Sequence, residues 1–242
     1  MPEKLSDYEP RIWLFLNGPL ASHNLPKDPP QGLIMAADGG AKGLKKLGWP
    51  LDLLVGDLDS LGAKNLDLLP KKDGFRLKIY PQDKDKTDFE LLLPMALDCL
   101  GPPGLVAIAG GLGGRWDMTL ANLLVPFSAT LSPLWQGSQI VFLGAKENVY
   151  ALNGPTRLAI PGQRRFSLLP LTGPVKTIGI KGDVAYPLDQ GHLEFAQTKG
   201  VSNETGPNGG LVTLEKGFVL VVVGLNPLSS RRKALGALAK KN

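Results

Sequence analysis

The sequence predicts an α/β chain: an N-terminal Rossmann-like parallel-sheet domain followed by a C-terminal antiparallel β-sandwich domain. Three observations carry that reading. Up to about Gly144, strand-sized apolar runs alternate with helix-length segments. The runs are continuously apolar, as befits strands covered on both faces. After about Lys146, short strands and turn signals follow one another with no helix-length periodicity between them.

In order, the first strand is Ile12–Leu16, ending at Asn17-Gly18. Gly32–Ala37 ends at Asp38-Gly39-Gly40, and Leu51–Val55 ends at Gly56-Asp57. Phe75–Tyr80 ends at Pro81, Leu105–Ala109 ends at Gly110-Gly111, and Gln139–Leu143 closes the series. Polar residues and glycines thus recur at strand carboxyl ends, the edge where open α/β sheets bind ligands. One helix start is strongly signalled. Thr87-Asp88-Phe89-Glu90 fits a capping box with Thr87 as N-cap, and Phe89, Leu92, Leu93, Ala96, Leu97 and Leu100 follow at helical spacing. Pro94 removes one ladder bond and predicts a kink. The second half is read as strands at Val149–Leu152, Thr156–Ile160, Arg165–Leu169, Val175–Ile180, His192–Ala196, Leu211–Leu214 and Phe218–Val223. The expected division is residues 1–145 for the α/β catalytic domain, 146–228 for the β-sandwich, and 229–242 for a basic tail.

Composition narrows the function. With 43% hydrophobic and 20% charged residues in 242, the chain is an ordinary globular one. No apolar run approaches the ~18–20 residues of a membrane span, and the polar, acidic N-terminus does not read as a secretory signal. The lone Cys99 excludes a disulfide framework and a Cys-based zinc site, so a cytoplasmic protein is expected. The net charge is +5, but Arg231, Arg232, Lys233, Lys240 and Lys241 lie in the tail. Without them basic and acidic residues balance at 22 each, so neither nucleic acid nor membrane is an expected partner. His23 and His192 have no partner at ligand spacing, and Cys99 and Trp116 are read as packing residues.

Acidic residues gather at the strand ends. Asp38 follows one strand, Asp57 and Asp59 the next, Asp83, Asp85 and Asp88 another, and Asp117 the glycine-rich turn Gly110–Gly114. On neighbouring parallel strands they converge on one rim, where carboxylates repel one another unless a cation compensates. All-oxygen ligation without His or Cys points to Mg²⁺, and Mg²⁺ held by few carboxylates serves phosphorylated substrates. Gly39-Gly40 and Gly110–Gly114 offer backbone N–H groups to an anion, and Lys84, Lys86 and Arg115 supply positive charge. Neither a Gly-x4-Gly-Lys-Ser/Thr loop nor a Gly-x-Gly-x-x-Gly fingerprint is present.

The order of motifs resembles the thiamine pyrophosphokinase family. The resemblance rests on Asn17-Gly18, Ala37–Ala41, Gly56–Ser60, Lys84–Asp88, Gly113–Asp117 with Leu120-Ala121-Asn122, and Val201-Ser202-Asn203-Glu204. It spans about Ile12 to Val223, in both halves. It implies an α/β domain followed by a β-sandwich, and a homodimer with sites at its interface. The implied activity is Mg²⁺-dependent transfer of pyrophosphate from ATP to the thiamine hydroxyl, with release of AMP. Carried over by motif, Asp57, Asp59 and Asp88 are the implied metal-facing and catalytic carboxylates, with Arg115 and Asp117 beside them. Asn17, Asp38, Gly39, Lys84, Asp85, Thr87 and Arg115 belong to the implied nucleotide site. Ser202 and Asn203 belong to the implied thiamine pocket, reaching a partner subunit's catalytic domain. Either Asp88 or Asp117 would orient the nucleophilic hydroxyl. Two departures stand out. The family usually has Phe where Leu58 lies, and His or Gln where Met118 lies. Met neither hydrogen-bonds strongly nor carries a proton. The other readings are a pyrophosphokinase for a pterin-like hydroxymethyl heterocycle, over which Ser202-Asn203 favours thiamine, and a non-catalytic nucleotide-binding relative, hinted at by Met118.

Overall fold

A computed structural model describes residues 9–101, 103–128, 131–171, 175–195 and 197–228. The basic tail, 229–242, lies outside the described residues. The architecture is mixed α/β. Six strands run parallel: β1 (Ile12–Phe15), β2 (Leu33–Ala37), β3 (Leu51–Gly56), β4 (Lys71–Ile79), β5 (Leu105–Ala109) and β6 (Gln139–Leu143). Their spatial order is β6-β5-β1-β2-β3-β4. Between them lie α1 (Ala41–Leu47), α2 (Ala63–Leu66), α3 (Asp88–Leu100) and α4 (Trp116–Leu124).

The continuous apolar runs have the reason expected of them. On β1, Trp13 and Phe15 join the core that holds Ala41 and Leu44 of α1. Ile12 and Leu14 join the core that holds the buried residues of α3. Alternate residues therefore bury on opposite faces, and neither face tolerates a polar residue. The capping box at α3 forms as expected: the Glu90 amide donates to Thr87 Oγ1 (3.2 Å), and the Thr87 amide donates to Glu90 Oε2 (3.2 Å). The six apolar residues at helical spacing are all buried, and the helix runs on through Pro94.

The second half is antiparallel: β7 (Glu147–Asn153), β8 (Thr156–Ile160), β9 (Arg165–Pro170), β10 (Val175–Val184), β11 (Leu188–Leu193), β12 (Asn203–Lys216) and β13 (Phe218–Gly224). It is joined to the first half by hydrogen bonds, because β6 pairs parallel with β5 and antiparallel with β7. Among the described residues one path of strands therefore runs through both halves, with β8 alone off it, paired to β12. Apolar residues of β8, β9, β10, β12 and β13 share one buried cluster with those packed against α1.

Several expectations need correction. The strand expected at His192–Ala196 is β11, Leu188–Leu193, whose register is set by pairing with β10 rather than by its own weak pattern. Phe195, which drew the expected strand onward, is exposed. Cys99 is exposed rather than packed, since it lies off the buried stripe of α3. Trp116 is 79% exposed, while Trp135 is fully buried. Among the described residues no helix is long and apolar enough to cross a membrane.

Candidate active site at the carboxyl edge of the sheet

From β1 the chain steps outward through β2, β3 and β4, then returns through α3 to place β5 on the other side of β1. The gap between the carboxyl ends of β1 and β5 is therefore a topological switch point, where open α/β sheets bind ligands. A cavity of about 460 Å³ opens there. Asn17 and Gly18 line it after β1, Asp38 and Gly39 after β2, Ser60 after β3, and Gly110, Gly111, Gly113 and Gly114 after β5. Lys84 comes from the loop before α3, Thr87, Asp88 and Phe89 from the cap and first turn of α3, and Arg115, Met118, Thr119 and Asn122 from the start and inner face of α4. Two helix N-termini thus border one glycine-walled space, an arrangement favourable to anions. The walls approach closely: the Gly18 amide donates to the Gly110 carbonyl at 3.0 Å, and a side chain at Gly18 would strike that oxygen.

The acidic residues meet at the rim. One carboxylate oxygen each from Asp38, Asp57 and Asp59 lies within 4.8 Å of the others. Gly56 makes this possible, because a Cβ there would lie 2.6 Å from Asp38 Cβ. Asp38 is buried, and its carboxylate accepts the amides of Ser60 (2.9 Å) and Leu61 (3.2 Å), clamping the loop after β3. Asp57 Oδ1 accepts the Asp59 amide at 3.1 Å, closing a tight turn in which Leu58 takes a left-handed φ of 66°. Asp59 Oδ2 accepts Gln82 Nε2 at 3.1 Å.

Asp88 stands outside the three-residue cluster and is reached through Lys84. Lys84 Nζ lies 2.9 Å from Asp57 Oδ2 and 3.3 Å from Asp88 Oδ1. The hydrogen bond from Lys84, aided by the Asp59 amide, holds the Asp57 carboxyl below the usual carboxylate range, and the same bond raises Lys84. Burial pushes Asp88 the other way, upward, against the pull of Lys84. Asp88 Oδ1 is buried without a hydrogen bond of good geometry. Clustered hard oxygens with one under-used buried carboxylate oxygen alongside fit a small divalent cation such as Mg²⁺.

The remaining expected residues divide. Asn17, Asp38, Gly39, Lys84, Thr87, Asp88 and Arg115 all line the cavity. Asp117 is not part of the wall; both its carboxylate oxygens lie on the Arg115 guanidinium, which draws its pKa down, and the pair is largely exposed. Asp85 is exposed and is not part of the wall. Ser202 and Asn203 are not brought to this cavity within one chain. Ser202 is exposed with φ 60°, and its amide donates to Ser167 Oγ at 3.0 Å. Asn203 is 3% exposed, and its side chain is spent on Tyr186: Nδ2 donates to the Tyr186 carbonyl (2.7 Å), and Oδ1 accepts the Tyr186 amide (3.1 Å). Asn203 therefore shapes the Tyr186 turn.

Thr119 and Gln82 escaped the sequence reading, and Asn122 entered it only within a motif, with no role assigned. Thr119 Oγ1 donates to the Gly113 carbonyl (3.2 Å), and Asn122 Nδ2 donates to the Gly111 carbonyl (3.1 Å), fastening the glycine turn to α4. Their signal was present, as two polar residues three apart on the buried face of a helix. Gln82 had no such signal. A larger cavity, about 850 Å³, lies at the opposite edge of the sheet beside Gly104, Gln139 and Thr213. Its charges, Arg157, Lys181, Asp189 and Glu215, cancel, and Lys181 pairs with Asp189 at 2.8 Å.

A switch-point cavity with glycine walls, two helix N-termini and a carboxylate cluster defines an open α/β protein whose site suits phosphorylated ligands. A family model described as the catalytic domain of thiamin pyrophosphokinase matches residues 30–133, which include that rim. The thiamine pyrophosphokinase of Bacillus subtilis is 26% identical over 170 residues, covering 69% of this chain and 75% of the relative. The chain is therefore similar to thiamin pyrophosphokinases, through the catalytic-domain model over residues 30–133 and at 26% identity over 170 residues. Its fold is shared with solved structures. The B. subtilis thiamine pyrophosphokinase aligns with TM-score 0.71 at 21% identity over 88% of this chain and 98% of that one. A thiamin pyrophosphokinase family protein of Enterococcus faecalis aligns with TM-score 0.69 at 24% identity over 89% and 99%. Yeast thiamin pyrophosphokinase aligns with TM-score 0.63 at 16% identity over 89% and 86%.

Proposed function

We propose that the chain transfers pyrophosphate from ATP to the hydroxyl of thiamine, giving thiamine diphosphate and AMP. The observation that carries this is the meeting of the acidic rim with a glycine-walled, helix-bordered cavity at the switch point. Residues 1–145 act as the nucleotide- and metal-binding domain and 146–228 as the thiamine-binding domain. ATP as donor accords with the cytoplasmic location expected from the sequence.

Displacement at phosphorus needs positioning and charge neutralisation more than covalent help from the protein. Asp57 and Asp59 would hold Mg²⁺, with Asp88 as the third carboxylate, and the ion would supply charge neutralisation on phosphate oxygens. The amides of the glycine turn and the N-termini of α3 and α4 receive phosphate oxygens. Arg115 sits at the cavity mouth and offers its guanidinium to charge developing on the transferred group. Asn17 and Gly39 form the floor at the ends of β1 and β2. The acidic rim also suits the cationic thiazolium ring.

The second substrate requires a second copy. Ser202 and the Tyr186 turn lie apart from the cavity within one chain, and α4 presents Trp116, Leu120 and Leu124 to solvent at i, i+4 and i+8. A stripe of that kind beside a cavity mouth is an interface. We infer a homodimer in which Ser202, placed by Asn203, meets the partner's cavity.

The test supplies thiamine, ATP and Mg²⁺ and separates the nucleotides. AMP and thiamine diphosphate should appear in equal amounts. ADP with thiamine monophosphate would overturn the pyrophosphate step, and turnover of a hydroxymethylpterin without turnover of thiamine would overturn the acceptor.

A further inference from the structure

We propose that Lys84 is the resident counter-ion of the metal-free site, and that metal binding expels its ammonium group from between Asp57 and Asp88 into the cavity. This rests on the metal reading given above and adds the event that loading requires.

Asp57 Oδ2 and Asp88 Oδ1 point at a common position, and Lys84 Nζ occupies it, at 2.9 and 3.3 Å. All three side chains are largely withdrawn from water, at 15% exposed for Lys84, 11% for Asp57 and 20% for Asp88. Two carboxylates enclosed this way repel strongly without a cation between them. Lys84 supplies that cation from within the chain.

A divalent ion shared by Asp57 and Asp88 needs those same oxygens. An ammonium and a divalent cation cannot both face them at contact distance, because their mutual repulsion opposes the attraction each gains. Lys84 also has somewhere to go. It lies in the loop between β4 and α3 on a flexible four-carbon stem, and it lines the cavity bordered by the two helix N-termini. Once displaced, its charge faces the space proposed for phosphate. The carboxylates lose an internal cation and gain a metal, while the cavity gains a positive charge. Loading with metal thereby prepares the site for a polyanion, without any change in the sheet.

The alternative arrangement has Lys84 as a fixed second cation, remaining on Asp57 and Asp88 while metal binds only toward Asp59 and Asp38. Two measurements on the nucleotide-free, full-length protein separate the two. The first titrates Mn²⁺, followed by loss of the free-ion electron paramagnetic resonance signal, into wild type, Lys84→Met and Lys84→Gln. Exchange predicts at least tenfold tighter binding in the neutral variants, with a lower metal-free melting temperature that Mn²⁺ restores. The second observes the Lys84 ammonium by nuclear magnetic resonance in wild type, assigned by its loss in Lys84→Arg. Exchange predicts that its protons are protected without metal and become fast-exchanging as Mg²⁺ saturates. Protection persisting at saturating Mg²⁺, or no gain in Mn²⁺ affinity in the neutral variants, would overturn exchange and leave the metal reading standing. Absence of Mn²⁺ binding to wild type and variants alike would overturn both.

Discussion

Asp57 answers to two groups at once: one oxygen receives the Asp59 amide and the other the Lys84 ammonium. That modifies a simple expectation about the acidic rim. Neutralising a self-repelling carboxylate relieves strain only where no cation is already present, and at Asp57 one is. We expect Asp57→Asn and Asp59→Asn each to lower Mg²⁺-dependent turnover by orders of magnitude. Asp57→Asn should also lower metal-free stability by on the order of 1–2 kcal/mol, because a charge-assisted bond is lost. Thermal unfolding against pH checks this, with the sign fixed by the shifts. Asp57 is depressed by Lys84, so its contribution is present above its unfolded value of about 3.9 and is lost as pH falls through its lower folded value. Lys84 is raised by Asp57, so its contribution is present below about 10.4 and is lost as pH rises through its folded value. Asp88, raised by burial, acts in the opposite sense and regains stability as it protonates. Wild type and Asp57→Asn should therefore converge at acid pH, and a constant gap down to pH 2 would show that Asp57 is not ionised in the fold. At Met118, part-exposed on the cavity wall, a thioether replaces the family's His or Gln. We expect Met118→His to keep turnover within about tenfold, a barrier change of roughly 1.4 kcal/mol or less; a gain of several hundredfold would mark the wild type as a degraded enzyme.

Among the elements, α3 and α4 each carry two tasks on two faces. The buried stripe of α3 anchors it to the core, while its capped N-terminus sets Thr87 and Asp88 at the cavity. The capping box ties the two together, since an N-cap contributes about 1 kcal/mol and fixes the direction from which the chain enters. On α4 the inner face, Thr119 and Asn122, holds the glycine turn, and the outer face is apolar and exposed. We expect Leu120→Glu to yield a monomer by analytical ultracentrifugation, with an unchanged circular dichroism spectrum and little turnover. A dimer of wild-type affinity would remove α4 from the interface. The edge strand β4 shows a different economy. Lys71, Lys72, Arg76 and Lys78 along it discourage pairing with another sheet edge.

Over the whole molecule, the path of strands carries Ser202 and the Tyr186 turn on one half and the acidic rim on the other. The β6–β7 junction fixes the two halves together by antiparallel hydrogen bonds from Gln139–Leu143 to Asn148–Leu152. If each active site draws on two copies, two inactive variants with damage at opposite ends should complement. Asp59→Asn and Asn203→Ala proteins, each nearly inactive alone, should regain a substantial fraction of wild-type turnover after mixing and subunit exchange. No recovery, with exchange verified by mass, would place both ends of the site in one chain.

The sequence by itself determined the six parallel strands, the capping box at Thr87 and the position of the polar residues at strand carboxyl ends. These are local or periodic properties: apolar continuity, helical spacing and turn chemistry are written residue by residue. It also delivered Asp38, Asp57, Asp59 and Asp88 as a group, because parallel connectivity sends every strand end to one edge. Partnership required the tertiary structure. That Lys84, rather than Asp59, faces Asp88, that Asp38 is spent on the Ser60 and Leu61 amides, and that Asn203 serves the Tyr186 turn all depend on how loops from distant strands fold over one another. The extent of β11 was misread for the same reason, since a strand with a weak pattern takes its limits from the neighbour it pairs with. Cys99 and Trp116 were misread because a step of a single residue, about 100° around a helix, separates a buried position from an exposed one.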